Sequence, residues 1–171
     1  MKRLTLMRHG NAKWKDPEVA DFERPLNRRG SGEAEAMARR LVELTFVPTL
    51  IIASPATRAR QTADIVAREL GVSARHVRTD ESLYLARADD IVKVIRAAGP
   101  RVPHLMIVGH NPGISRVAQD LGVPYDGEEM DTGAICTMTF DARSWSGIAS
   151  TALRDALSES PPMRLLSSFW S

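Results

Sequence analysis

The 171-residue sequence predicts an α/β protein, a three-layer sandwich whose mixed, mostly parallel sheet of about six strands carries helices on both faces. Three observations predict it. The short continuous apolar runs Leu4–Met7, Leu50–Ala53 and Leu105–Val108 read as strands buried on both sides. Amphipathic helical patterns lie between them. No internal repeat or low-complexity tract breaks the alternation, so residues 1–171 are expected to form a single domain.

Each element has its own reason. The first strand stops at Arg8. The first helix starts with Asn27 as N-cap, with Met37, Leu41 and Leu44 on its inner face. Glu33, Arg39, Arg40 and Glu43 lie largely on the opposite, polar face. After Leu50–Ala53, Ser54 reads as an N-cap and Pro55 as the first residue of the second helix. Ala59, Ala63, Val66 and Leu70 form its apolar stripe, and Gly71 ends it. His76–Arg78 is a weaker strand candidate. A third helix spans about Asp89 to Ala98, with Ile91, Val94, Ile95 and Ala98 inward and Gly99-Pro100 as its stop. The fourth follows Asn111-Pro112, carries Ile114, Val117, Ala118 and Leu121, and ends at Gly122. Ala134–Phe140 and Met163–Phe169 are weaker strands. A fifth helix is expected from Ser144 to Leu157, with Trp145, Ile148, Ala149 and Leu153 on one side. His76 and His104 read as surface or loop residues, and Cys136 as a small buried apolar one.

Composition removes several function classes. Hydrophobic residues make up 43% and charged residues 26%, which is globular composition. The 19 arginines and 4 lysines stand against 21 acids, a net charge of only +2, and they interleave with acids rather than form a stripe. With nine aromatics as well, no nucleic-acid partner is expected. The lone Cys136 excludes an internal disulfide and a multi-cysteine zinc site. The four histidines form no HxH or HxxxH pair, so no metal or other cofactor is expected. No apolar run approaches the ~20 residues of a membrane helix, and Leu4–Met7 is too short for a signal-peptide core. A cytoplasmic monomer without a membrane partner is the expectation.

In open α/β sheets the functional crevice lies beyond the carboxyl ends of the strands. There the sequence places Arg8-His9-Gly10, Ser54-Pro55-Ala56-Thr57-Arg58 and Gly109-His110-Asn111-Pro112. If the strands are parallel neighbours, two arginines and two histidines converge. Forked guanidinium donors and helix N-termini suit a dianionic phosphoryl group. One neutral imidazole could attack phosphorus while the other holds its oxygens.

Arg8-His9-Gly10, Ser54-x-x-x-Arg58-x-x-Gln61-Thr62 and Gly109-His110, in this order, resemble the histidine phosphatase superfamily, the phosphoglycerate mutase-like fold. Met7-Arg8-His9-Gly10-x-Ala12, Arg24-Pro25-Leu26-x-x-x-Gly30 and Asp131-Thr132-Gly133-Ala134 resemble its SixA-type phosphohistidine phosphatase branch. The resemblance implies that His9 is the phosphorylated nucleophile, that Arg8 and Arg58 clamp the phosphoryl oxygens, and that His110 completes the pocket. It implies a substrate-contacting role for Arg24. The implied substrate is a phosphorylated protein, such as a histidine-containing phosphotransfer protein.

Many members of the superfamily carry a carboxylic acid two residues after a leucine, which protonates the leaving oxygen. In Leu83-Tyr84-Leu85 that position is Leu85. Glu81 is nearby in sequence, but nothing in the sequence places it in the site, and Glu81, Asp89 and Asp90 read as capping or solvated charges. General-acid help is worth ~10²–10⁴-fold, which an alkoxide leaving group needs. An imidazole, with a conjugate-acid pKa of ~6.5, leaves without it. The missing acid therefore favours phosphohistidine. Two alternatives stay open: a phosphomonoesterase acting on a small metabolite, and a non-catalytic phosphate-binding module.

Overall fold

The structure is a computed structural model and describes residues 1–14, 16–124 and 129–162. Six strands form one sheet: β1 (Lys2–Arg8), β2 (Leu50–Ala53), β3 (Val77–Thr79), β4 (His104–Gly109), β5 (Ile135–Phe140) and β6 (Leu153–Glu159). Their spatial order is β3-β2-β4-β1-β5-β6. β3, β2, β4 and β1 pair in parallel, and β5 and β6 join antiparallel at the β1 edge.

The helices α1 (Arg28–Glu43) and α2 (Thr57–Leu70) cover one face of the sheet. They bury Met37, Leu41, Ala63 and Val66 against Met7, Ile51, Met106 and Val108. The helices α3 (Ala88–Arg96) and α4 (Gly113–Asp120) cover the other, packing Ile91, Ile95, Ile114 and Val117 on Leu4, Leu6, Ile52 and Ile107. The alternation of Leu6 and Met7 to opposite cores follows from the two-residue period of a strand. It explains why these strands read as unbroken apolar runs. Asn27 caps α1 as expected, its side-chain oxygen accepting from the Gly30 N–H at 2.8 Å. Gly71 ends α2 with φ 69°, which a residue without Cβ adopts freely.

Several expectations are corrected. The segment assigned to a fifth helix, Ser144–Leu157, holds two short 3-10 turns (Trp145–Gly147 and Ser150–Ala152) and most of β6. Backbone pairing with β5 overrides its helix-like pattern. Trp145 and Ile148 are nonetheless buried. α2 starts at Thr57, not after a Ser54 cap. Ser54 Oγ accepts from Ala56 N at 3.2 Å in a local turn, and the chain becomes helical only beyond it. His104 is not a surface residue but lies buried in β4, with Nε2 2.8 Å from Thr5 Oγ1, which in turn meets Thr137 Oγ1 at 2.9 Å. Glu33 does not face solvent; it is fully buried. Cys136 is buried, as expected. The strand expected at Met163–Phe169 lies outside the described residues. Among the described residues no helix is long and apolar enough to cross a membrane.

Candidate active site

The sheet order β2-β4-β1 brings three carboxyl ends side by side. The register pairs Arg8 with Gly109 and Ala53 with Val108, so His9, Ser54 and His110 follow directly where the strands stop. The His9 and His110 ring centroids are 5.1 Å apart. Arg58, in the first turn of α2, is only 3% exposed, and its Nε lies 3.4 Å from His9 Nε2.

The histidine tautomer is fixed by local backbone. His9 Nδ1 lies 2.8 Å from the Gly10 carbonyl oxygen. A carbonyl only accepts, so Nδ1 carries the proton and the lone pair sits on Nε2. Burial lowers the His9 pKa to about 4; the Gly10 hydrogen bond opposes this, and the charges of Arg58, Arg8 and Arg24 add to the fall. His110 falls to about 3, through burial and then its neighbours His9 and Arg58. Both rings are therefore neutral near pH 7.

Two glycines make the tight turn after β1 possible. A Cβ on Gly10 would lie 2.5 Å from the Gly30 carbonyl oxygen, and one on Gly30 would lie 2.0 Å from the Asn11 oxygen. The Gly10 N–H donates to Thr62 Oγ1 at 3.1 Å, and the Leu26 N–H donates to Gln61 Oε1 at 2.8 Å. The spacing Arg58-x-x-Gln61-Thr62 thus ties α2 to the two loops that frame His9. Glu33 braces the same turn from below. It accepts from Asn11 N at 3.3 Å, Arg29 Nε at 3.0 Å and Thr132 Oγ1 at 3.0 Å.

Arg8, His9, Arg58 and His110 thus come together. Arg8 donates from one terminal nitrogen to the Met130 carbonyl at 2.9 Å. Its Nε and His110 Nδ1 are the buried side-chain polar atoms left without a partner among the described residues. His110 Nε2 is 2.7 Å from Ser54 Oγ. Unpaired buried polar atoms are costly, and two of them on the predicted residues point to a polar ligand. Arg24 stands at the rim with its hydrogen bonds directed at protein: Nε donates to Asp21 Oδ1 at 3.0 Å and a terminal nitrogen to the Lys13 carbonyl at 2.8 Å.

Sequence reasoning missed Asp21 and Tyr84. Asp21 sits in a 3-10 turn (Asp21–Glu23) and takes both terminal nitrogens of Arg58, one on its carbonyl at 2.7 Å and one on Oδ2 at 3.1 Å. Tyr84 donates its hydroxyl to the same Oδ2 at 2.6 Å. Burial opposes ionisation of Asp21, but the Tyr84 and Arg58 contacts outweigh it and hold the carboxyl well below its usual range. Burial, then the bond to Asp21, raises the Tyr84 phenol. The available signals were Asp21-x-x-Arg24, a spacing for one short turn, and the place of Tyr84 next to Leu85. Leu85, the position at which the resemblance leads one to expect an acid, is 57% exposed and faces outward. Among the described residues no three His, Cys, Asp or Glu side chains converge as metal ligands.

Parallel strand ends that collect arginines and neutral imidazoles around one pocket define a scaffold of the phosphoryl-transfer kind. The family model described as the histidine phosphatase superfamily (branch 1) matches residues 4–84. The SixA protein of Agrobacterium tumefaciens superposes with a TM-score of 0.75 at 27% identity, over 92% of this chain and 99% of that one. The protein histidine phosphatase SixA complexed with tungstate gives 0.77 at 22% identity, over 93% and 97%. An uncharacterized chloroplastic protein of Arabidopsis thaliana is 31% identical over 128 residues, which is 70% of this chain and 59% of that protein. The chain belongs to the histidine phosphatase superfamily.

Proposed function

We propose that the protein is a phosphohistidine phosphatase that hydrolyses the phosphoryl group of a protein phosphohistidine through a phospho-His9 intermediate. The observation that carries this is the state of His9. Its proton is held on Nδ1 by the Gly10 carbonyl, and its Nε2 lone pair faces Arg58, which is the geometry of a neutral nitrogen nucleophile beside a phosphate ligand.

In this reading Nε2 attacks phosphorus and Arg58 Nε transfers its hydrogen bond to a phosphoryl oxygen. Arg8 Nε becomes a second donor. If Ser54 donates its hydroxyl to His110 Nε2, then His110 Nδ1–H is the third. Water then attacks phospho-His9 and releases phosphate. Arg24 acts through Asp21, or contacts the substrate once that contact rearranges. Residues 1–171 act as one catalytic domain, since all six described strands belong to one sheet. The tungstate complex of the structurally similar SixA supports an oxyanion site in this fold.

The substrate class follows from the leaving group. The acid position holds exposed Leu85, and the carboxylate in the network, Asp21, is held ionised with no proton to give. A phosphoramidate tolerates that; an alkyl phosphate does not. The test compares kcat/KM on a phosphohistidine peptide with a panel of sugar phosphates and nucleotides, and traps acid-labile phosphate on His9. A strongly preferred ester, or no label on His9, would overturn the proposal.

A further inference from the structure

The mechanism above leaves Asp21 and Phe22 without a direct role toward substrate, yet both are partly exposed beside groups that reach His9 and His110. The Asp21 side chain is 35% exposed and Phe22 is 39% exposed. Arg58 links them to the chemistry, with one end 3.4 Å from the His9 nucleophile nitrogen and the other 3.1 Å from Asp21 Oδ2. Phe22 meets the Tyr84 ring edge-on at 5.0 Å, and Tyr84 meets the His110 ring at 5.7 Å. An aromatic wall therefore runs from His110 outward to an exposed phenyl ring, with a carboxylate beside it.

The acceptor count of Asp21 is incomplete. A carboxylate offers about four lone-pair sites. Tyr84 and Arg58 share Oδ2, and Arg24 takes one site on Oδ1. One site on Oδ1 remains for a donor from the solvent side. A second acceptor of the same kind already serves the nucleophile, because the Gly10 carbonyl holds the distal N–H of His9.

We infer that Asp21 and Phe22 form the subsite for the leaving ring, with the Asp21 carboxylate accepting the distal N–H of a protonated phosphoimidazole and Phe22 lying against that ring. This inference rests on the phosphohistidine reading. The transfer then runs between two imidazoles in matched states. The His9 Nε2–P bond forms and the substrate P–N bond breaks. Its electron pair stays on the substrate nitrogen, and the ring departs as neutral imidazole with its distal N–H still on Asp21. His9 becomes the phosphoimidazolium, its Nδ1–H still on the Gly10 carbonyl. No proton changes place, so no general acid is required. The same carboxylate works against an ester, whose leaving oxygen gains negative charge beside it. An aromatic face beside a carboxylate also suits a cationic ring.

The test measures kcat/KM of wild type, Asp21→Asn and Phe22→Ala on a phosphohistidine peptide and on p-nitrophenyl phosphate. Asp21→Asn weakens both activities through Arg58. The expected signature is the ratio of phosphohistidine to ester activity, which falls about tenfold or more. Phe22→Ala, which leaves the carboxylate in place, lowers the same ratio about threefold. Equal losses on both substrates in both variants would overturn the inference and leave Asp21 as a positioning residue for Arg58. A wild type that hydrolyses p-nitrophenyl phosphate but not phosphohistidine would overturn the phosphohistidine reading, and the inference with it.

Discussion

Replacing Glu33 with alanine should destabilise the protein by about 3 kcal/mol. The carboxylate is fully buried, and three chain segments converge on it: Asn11 after β1, Arg29 in α1 and Thr132 before β5. A net contribution of ~1.5–3 kcal/mol for each hydrogen bond to a charged group sets the gross scale. Against it stands a desolvation penalty of about several kcal/mol for a buried ion. Arg29 is 27% exposed and can turn to water, so its loss is partial. What remains is a stranded Asn11 N–H and a small cavity under Gly133, whose would-be Cβ position is 2.9 Å from the deleted Glu33 Oε2. Those terms add to about 3 kcal/mol. Glu33→Gln keeps the volume and one acceptor, and should lose only about 1 kcal/mol at pH 7. Urea unfolding followed by circular dichroism reads both. An alanine variant within about 1 kcal/mol of wild type would refute the bracing role. So would a glutamine variant as unstable as the alanine one. The pH dependence has a definite sign. Burial raises the Glu33 pKa above 4.5, ahead of the lowering contacts from Thr132 and Arg29. The native state then binds the proton more tightly than the unfolded chain. The contribution of Glu33 is fully present below about 4.5 and falls as pH rises through the raised native value. The lead of wild type over Glu33→Gln should therefore shrink over that window.

Imidazole NMR should find His9 and His104 neutral down to about pH 4 and His110 down to about pH 3; a midpoint near 6.5 for His9 would contradict its burial beside three arginines. Gly30→Ala must displace the Asn11 backbone, because its Cβ would lie 2.0 Å from that oxygen. It should lose about 1–3 kcal/mol and weaken tungstate binding by titration calorimetry, whereas wild-type values for both would refute the close-approach argument. Thr5→Val removes the shared partner of buried His104 and Thr137, and thermal unfolding should show a loss of about 1–3 kcal/mol. An unchanged melting temperature would mean that His104 finds another partner.

The sheet core and the pocket were legible because their signals are local. Leu4–Met7 and Leu105–Val108 are apolar throughout because both faces are covered, and the site residues Arg8-His9 and His110 follow within two residues of their ends. β6 was not legible, since Leu153–Glu159 is a polar edge strand whose identity comes from β5, and its scattered leucines fit a helix as well. Glu33 is a different failure. The buried positions of α1 are Gly30, Glu33, Ala34, Met37, Ala38 and Leu41, an unbroken three-and-four spacing. The period put Glu33 inside, and only its residue type argued against. Asp21 lies in a loop, where no period applies, and its meaning depends on Arg58, 37 residues away in sequence.

The choice of arginine over lysine at this site follows from the same burial that tunes the histidines. A pocket for a dianion needs fixed positive charge, while a nitrogen nucleophile needs a free lone pair. Burial disfavours a cationic form, and it does so here: His9 falls to about 4, and Arg8 also falls, though from a far higher starting point. A guanidinium has so large a margin that it stays charged, whereas an imidazole in the same field loses its proton. A lysine, starting near ~10.4 and shifting readily when buried, would sit between these outcomes. In the proposed mechanism one environment therefore sorts the two residue types into clamp and nucleophile. The carboxylates complete the sorting. Asp21 fixes the plane of Arg58 so that its Nε, the remaining edge, faces His9. A neutral side chain at position 21 would leave Arg58 its bond to the backbone carbonyl but weaken the one at Oδ2, and the Nε edge would be held less firmly against His9.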